Sequence, residues 1–445
     1  MAGVMDRGRA EAVVRAAVDR GRRAGAEVVA TFSGGREAHA RFARSEITST
    51  GDVTNATLHV TCALGRRHGT FASNQTSDRS IERAVALAVE LARLSPEDPE
   101  WLPPLPAQRY ATVAGRDAAT GAVGADARAA AVEAALSAAR SADLEAAGFI
   151  EHADRFVTVA TSGGLAAHYD LTEASFSSTL RTRDGGGSGW ASARSYRAKD
   201  VDASAVAKVA SQKAAASREA KALDPGRYTV VLEPEAVANL LQVFMGSMDA
   251  RPADEGRSFF TRPGGGNKVG EKLFPAWMTL RSDPQDAQAP ASPFDQDGLP
   301  LKPTTWVDKG TLKGLVHGRY WASKAGKAPT GTPSSVLLEG GSGSTEDLIK
   351  RVKRGLLVTR FWYIRHLDPQ TMLVTGLTRD GLFLIEDGRV TAPVRNFRFN
   401  ESPAAMLANA ETAGSPVTLR AGASGWRIPP LLAHEFHMAS PSDAV

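Results

Sequence analysis

The stretch YTVVLEPEAVANLLQVFMGSMDARPADEGRSFF, from Tyr228 to Phe260, decides the fold. Tyr228–Leu232 is apolar and β-branched, the composition of a buried strand. Pro234 then opens a helix, because proline at the first helical position gives up an N–H that no carbonyl needs. Val237, Leu240, Leu241, Phe244, Met245 and Met248 recur at spacings of three and four, which predicts one apolar face over residues 235–248. A strand feeding straight into such a helix is a place where an α/β protein can set a catalytic group. Here no His, Cys, Asp or Glu stands between Glu235 and Met248.

Working outward, 445 residues are too many for one hydrophobic core and predict two or three domains. The 42% apolar and 23% charged content is that of an ordinary globular chain. Cys62 is the single cysteine, which excludes an internal disulfide and any Cys-rich metal site and suits a reducing, cytoplasmic setting. The net charge of +4 is spread along the chain, with no aromatic-interleaved basic stripe of the kind nucleic acid requires. The start, MAGVMDRGRAEAVVRAA, carries charge throughout and does not read as a signal peptide. No run of about 18 apolar residues offers a membrane span.

Before the decisive stretch, residues 9–24 predict a helix, and Glu27–Phe32 a strand turning at Gly34-Gly35 into Glu37–Ala43. Thr54–Leu64 and Arg67–Ala72 predict further strands, and Ser77–Leu94 a helix with Ser77 as N-cap. SPEDPEWLPPLP, residues 95–106, holds five prolines in twelve residues and reads as an extended linker. Asp126–Ala147 predicts a helix stopped by Gly148; Phe149–Thr161 and Leu165–Arg183 predict a strand meander; residues 203–221 predict another helix. After Arg227 strands dominate, with hairpin turns expected at Asp297-Gly298, Lys309-Gly310, Asp380-Gly381 and Asp387-Gly388. Helices are expected there only over 235–248, Ser344–Arg354 (with a capping box at Ser344–Asp347) and Pro403–Ala410. The expected class is α+β. Two N-terminal α+β units, 1–106 (with the linker at 95–106) and 107–224, carry helices packed on antiparallel sheets, and a larger β-rich C-terminal domain spans 225–445.

Candidate chemistry is sparse. His434-Glu435-Phe436-His437 could supply two zinc ligands, but Pro429-Pro430 favours an extended chain there and no third ligand is near in sequence. Gly340–Ser344 could bind an anion or a peptide, yet lacks the Lys-Ser/Thr ending of a phosphate loop and reads first as a turn into a capped helix. His317, Arg319 and Tyr320 follow a hairpin and could line a cleft or end a solvated strand. Asp295, Asp297 and Asp308 read as turn carboxylates, and Cys62 as a small buried hydrophobe.

Several stretches in combination resemble the TldD/PmbA (TldD/TldE) family of modulator-of-gyrase proteins and peptidases. They are VVLEPEAVANLL at 230–241, FDQDGLPLKPTTWVDKGTLKGLVHGRYWASKAG at 294–326, Pro329-Thr330-Gly331, GSGSTEDLIKRVKRGLLVT at 341–359 and LVTGLTRDGLFLIEDGRVTAPVRNFRF at 373–399. ATSGGLAAHYD at 160–170 fits more loosely. The family's catalytic subunit carries His-Glu-x-x-x-His on the helix after the opening strand, with a C-terminal cysteine, and these hold zinc. Counted from Val230-Val231-Leu232, those positions fall on Gln242, Val243 and Ser247, and the C-terminal region has no cysteine.

The resemblance therefore implies the PmbA/TldE kind of subunit. It would bind no cofactor and have no catalytic residue of its own, and the zinc would sit in a TldD-like partner. As a heterodimer the two would enclose a chamber for unfolded peptides, with Gly341, Ser342, Gly343, His317, Arg319 and Tyr320 as candidate peptide or partner contacts. Strand edges of the C-terminal domain could add a peptide backbone. The alternatives are a free-standing peptide-binding or regulatory homodimer, and a peptidase with a site relocated to His434 and His437.

Overall fold

The computed structural model describes residues 6–419 and 425–442; the reading of residues 1–5 lies outside them. The first half runs α1 (Arg7–Arg23), β1 (Glu27–Ala43), β2 (Glu46–Leu64), β3 (Arg67–Ser73), α2 (Asp78–Leu94), α3 (Ala118–Gly121), α4 (Ala125–Ser141), β4 (Leu144–Thr161), β5 (Ala166–Thr182), β6 (Ser188–Ser195) and α5 (Ala203–Ala216). The second half opens with β7 (Gly226–Leu232), α6 (Pro234–Gly246), α7 (Ala250–Asp254), β8 (Thr279–Ser282), β9 (Thr304–Asp308), β10 (Thr311–Leu312), α8 (Arg319–Lys324) and β11 (Val336–Glu339). It continues α9 (Thr345–Ile349), β12 (Arg354–Asp368), β13 (Leu373–Glu386), β14 (Arg389–Pro393), β15 (Phe397–Glu401), α10 (Pro403–Ala408), β16 (Ala410–Ala413), β17 (Val417–Leu419), β18 (Trp426–Ile428) and β19 (Leu431–Pro441). Helices on mostly antiparallel sheets, with a strand-rich second half, make this the expected α+β class.

The first six strands form one antiparallel sheet, ordered β3-β2-β1-β4-β5-β6. It crosses the 106/107 position at which the sequence was divided, because β1 pairs with β4 from Val29↔Thr161 to Phe42↔Gly148. The even-numbered side chains of β1 explain how. Val28, Ala30 and Phe32 pack under α1 and α2, while Ala40 and Phe42 pack under α4 and α5. One long strand thus floors two helix pairs, since alternate residues of a strand share a face.

Three local readings change. Gly34-Gly35 is not a turn: β1 runs through it, and the glycines allow backbones to close in. A Cβ on Gly34 would lie 2.2 Å from the Asn55 carbonyl oxygen, and one on Gly35 2.0 Å from that of Asp154. The helix expected to Ala147 ends at Ser141, and Gly148 is a strand residue whose missing Cβ makes room for Phe42. Asp380-Gly381 lies inside β13 rather than at a hairpin, with φ of 54° and 126°. The linker at 95–106 is extended as expected but strapped down. Thr161 Oγ1 donates to the Leu105 carbonyl at 2.6 Å, and Trp101 stacks on His68 at 4.5 Å.

In the second half one sheet is ordered β10-β9-β8-β11-β18-β17 and another β12-β7-β19-β15-β13-β14. A further β12–β13 pairing closes the latter into a ring. Between them lies α6, whose Val237, Leu240, Leu241 and Phe244 are fully buried. Each such side chain contributes about 1.5–3 kcal/mol by leaving water. Two short helices that the sequence reading lacks, α7 and α8, cap this layer; at five and six residues they are too short to show a period.

Asp380, with no exposed surface, joins the halves. Its Oδ1 accepts the Ser188 hydroxyl of β6 at 2.5 Å, and its Oδ2 accepts Arg360 Nε of β12 at 2.8 Å. Arg181 of β5 and Arg379 of β13 stand 3.8 and 3.7 Å away. Asp380→Asn would leave three guanidiniums facing one another. The expected cost is about 3 kcal/mol, the low end for a broken buried pair because the arginines keep some water. Chemical denaturation of the full chain reads it, and an unchanged midpoint would contradict the assignment.

His152 of β4 is buried, its Nδ1 has no hydrogen-bond partner, and burial with the charges of Arg128 and Arg36 pushes its pKa down to about 4. The unfolded chain protonates this ring near pH 6.5, so its contribution to stability is complete above that value and is lost as pH falls toward about 4. The melting temperature of the wild type should therefore fall more steeply across that window than that of His152→Asn; equal slopes would refute this.

Candidate functional site

The C-terminal half of α6 is where two cavities of the chain meet. Glu233 precedes the helix, Pro234 takes its first position, and Lys213 of α5 pairs with Glu233 at 2.5 Å, which fixes the entry from the first half. With the apolar stripe turned to the core, the opposite face carries Asn239, Gln242, Val243, Gly246 and Ser247 toward a cavity of about 590 Å³. Its other wall is Phe361–His366 on β12. Gly246 also lines the second cavity, of about 860 Å³, so the two adjoin at the helix C-terminus.

The helix side of the smaller cavity is neutral. Ser247 Oγ donates to the Val243 carbonyl at 2.9 Å, and Asn239 Oδ1 accepts the Phe361 N–H at 3.0 Å. Val243 packs on the core. Among the lining residues His366 alone is a common zinc-ligand type. Zinc is held by about three protein ligands from His, Cys, Asp and Glu; an amide, an aliphatic chain and an engaged hydroxyl do not fit that set. Among the described residues no group of three such side chains could hold a metal ion. β12 is irregular beside the cavity: its register shifts between Trp362 and Arg365, Tyr363 has φ 55°, and Trp362 and Tyr363 are 47% and 60% exposed.

The larger cavity lies between the strapped linker and the second half. Glu100 of the linker holds Arg251 through two bonds of 2.8 Å, and with Glu255 it keeps that guanidinium above its usual range. Arg251 lies over the rings of Tyr320 and Trp321 at 5.8 and 5.5 Å, and Arg319 donates to the Pro103 carbonyl at 2.6 Å. Arg319 and Tyr320 thus line a cleft, as one reading had it, but from the start of α8 rather than from a strand end. His317 is buried beneath, its N–H donating to Thr330 Oγ1 and its Nδ1 paired with the Leu315 carbonyl.

The remaining candidates are placed elsewhere. Gly341–Gly343 lead into α9, where Ser344 and Asp347 form the expected capping box; its hydrogen bonds pull the Asp347 carboxyl down to about 2. A Cβ on Gly341 would meet the Ala413 carbonyl at 2.0 Å, so glycine there serves close packing. His434 and His437 sit on β19 as extended chain, with a bulge at Glu435 (φ 59°). His434 pairs with Glu411 at 2.9 Å and Thr229 at 3.1 Å, while the His437 N–H donates to Glu401, whose carboxyl is raised by burial. Asp295 is also raised by burial and accepts the N–H groups of Asp297 and Leu299 in its turn. Asp308 stands 3.8 Å from Lys313. The sequence reading missed Trp101, Glu100 and Arg251, and the FWYIRH run at 361–366. The run of four consecutive nonpolar residues, Phe361–Ile364, was the available signal.

Cys62 is fully buried under α1 and α2, and burial pushes its thiol up to about 11. A thiol of that kind is inert while folded. Reaction with a disulfide reagent at about pH 8 should be slow in buffer and fast in denaturant; rapid native labelling would show an accessible nucleophile.

Profile matches in both halves of the chain place it in a metallopeptidase-related class of protein. Residues 225–440 match the profile of the PmbA/TldA metallopeptidase C-terminal domain, and residues 120–218 that of the central domain. The chain belongs to the PmbA/TldD family. A metalloprotease of Methanothermobacter thermautotrophicus is 25% identical over 219 residues, 45% of each chain. Metalloprotease PmbA of Escherichia coli O157:H7 is 25% identical over 160 residues, 35% of this chain and 34% of that one. The matched stretch thus spans less than half the length of these curated relatives. TldE from Thermococcus kodakarensis superposes with a TM-score of 0.85 at 19% identity, over 96% of this chain and all of that one. A candidate modulator of DNA gyrase from Thermotoga maritima gives 0.85 at 17%, with the same coverage. Both are likenesses of fold. Among the described residues no helix is long and apolar enough to cross a membrane.

Proposed function

We infer that this chain is the subunit of a TldD/TldE-type pair that carries no metal of its own, and that it completes a peptide-cleaving chamber with a zinc-bearing partner. One observation carries this: the cavity-facing side of α6 offers Gln242, Val243 and Ser247 where the family's catalytic subunit has its ligands and its general base. Val243 cannot move a proton, and Ser247 already spends its hydrogen on a backbone carbonyl. In this reading the partner supplies zinc and activates water. The present chain supplies wall: an aromatic strand, Phe361–His366, beside a neutral helix face, and a second cavity lined by Trp101 and Trp321. The exposed Trp362 and Tyr363 are the residue types that anchor protein interfaces, and they are proposed as the contact with the partner.

The test is made on the purified full chain, alone and mixed with a family member that retains His-Glu-x-x-x-His. Alone, it is expected to hold no stoichiometric zinc and to cleave no unstructured peptide; the mixture cleaves. Trp362→Ala with Tyr363→Ala should weaken the pairing by about 2 kcal/mol or more, roughly thirtyfold, as loss of aromatic anchors does. Stoichiometric zinc and peptidase activity in the lone chain would overturn the reading, and a stable two-copy mass that ignores the partner would replace it with a regulatory homodimer.

A further inference from the structure

The first sheet ends in an edge that is only half covered. β2 pairs with β1 over its whole length, Glu46↔Ala43 to Ala63↔Glu27. On its other side β3 covers it only from Leu64 to Leu58, where β3 stops at Ser73. Residues 46–57, EITSTGDVTNAT, therefore present one side of their backbone with no strand against it among the described residues. Such an edge templates further strands, and proteins commonly guard it with lysine, proline or a covering segment. This one has neither lysine nor proline, and Ile47 and Val53 stand 45% and 58% exposed on it. Of its two carboxylates Asp52 is already held by Arg36 and Arg128.

Where the open edge meets the end of β3 there is a pocket of about 600 Å³, lined by Asn55, Thr57, Phe71, Asn74, Arg79 and Arg83 among others. Arg79 and Arg83 lie four residues apart on exposed turns of α2, so they share a face and repel each other mildly. Neither guanidinium forms an ion pair or hydrogen bond among the described residues. An unpaired backbone edge thus runs into two unanswered positive charges.

We propose that this edge binds an extended acidic peptide segment of another polypeptide, which lies in the lane β3 vacates and sets its carboxylates on Arg79 and Arg83. The backbone of residues 46–57 supplies affinity without reading sequence, and the arginines choose the end that carries negative charge. A basic end is repelled from the same pocket. The assignment is independent of whether α6 holds a metal, because the edge lies in the other half of the chain.

The probe is a fluorescein-labelled peptide of alternating Thr and Val ending in Asp-Glu, compared with the same peptide ending in Lys-Lys, on the full chain. The acidic peptide should bind more tightly by about tenfold, with an advantage that shrinks as salt is raised. Arg79→Glu with Arg83→Glu, two exposed positions, should reverse the preference. Amide hydrogen exchange at residues 46–57 should slow when the acidic peptide is added. Equal binding of the two peptides, an unchanged preference in the double variant, or no protection of residues 46–57 would each overturn the proposal. So would sedimentation showing a dimer that Val53→Lys dissolves, since a second copy would then occupy the edge.

Discussion

A carboxylate with no water around it holds this molecule's two halves in register. Asp380 takes a hydroxyl from β6 and guanidinium bonds from β12, while arginines of β5 and β13 stand close by. Arg360, one of its partners, also lies over the Trp190 ring of β6 at 4.7 Å. Burying a lone charge is costly, so the site persists only while all four strands are present. That is a condition on geometry as much as on energy: a few ångströms of sliding between the halves would strand the charge. The left-handed backbone at Asp380, unusual inside a strand, is what brings the carboxylate into this position.

The larger cavity depends on that register. It has walls from both halves: Val29, Thr31 and Thr61 of the first sheet, the strap at 98–104, and the residues around α7 and α8. The strap is itself fixed by Thr161 on Leu105, Glu100 on Arg251, Arg319 on Pro103 and His68 on Trp101. A proline-rich stretch suits this role, since its extended conformation loses little entropy when held. What the sequence presents as a spacer between units is in the fold one wall of a cleft.

The sequence was most legible where a short-range rule has one outcome. The strand–helix at 228–248, the capping box at Ser344 and the hairpin at Asp387-Gly388 follow from proline at a first turn, a reciprocal side-chain cap and a two-residue turn. It was least legible where a glycine or an Asp-Gly pair answered a tertiary demand. Gly34-Gly35 reads as a turn, but its lack of Cβ serves two neighbouring strands, and Asp380-Gly381 reads as a hairpin, but its backbone serves a buried charge. The candidate site divided in the same way. The absence of metal-ligating types on the cavity-facing side of α6 is visible in a single helix. The cavity opposite it needs Phe361–His366, more than a hundred residues away, and no local pattern announces that meeting.

The helix at the centre shows why a protein can keep this fold with or without ligands on that face. The side of α6 that holds the sheets together is Val237, Leu240, Leu241 and Phe244, all without exposed surface. The side that opens on the cavity includes Gln242, which is exposed, and Ser247, which is half-buried and satisfied by its own helix. Exchanging the residues of the second side removes few of the contacts made by the first. Stability and chemistry are therefore carried by different faces of one element, and a change of chemistry leaves the hydrophobic contribution of about 1.5–3 kcal/mol per core side chain in place.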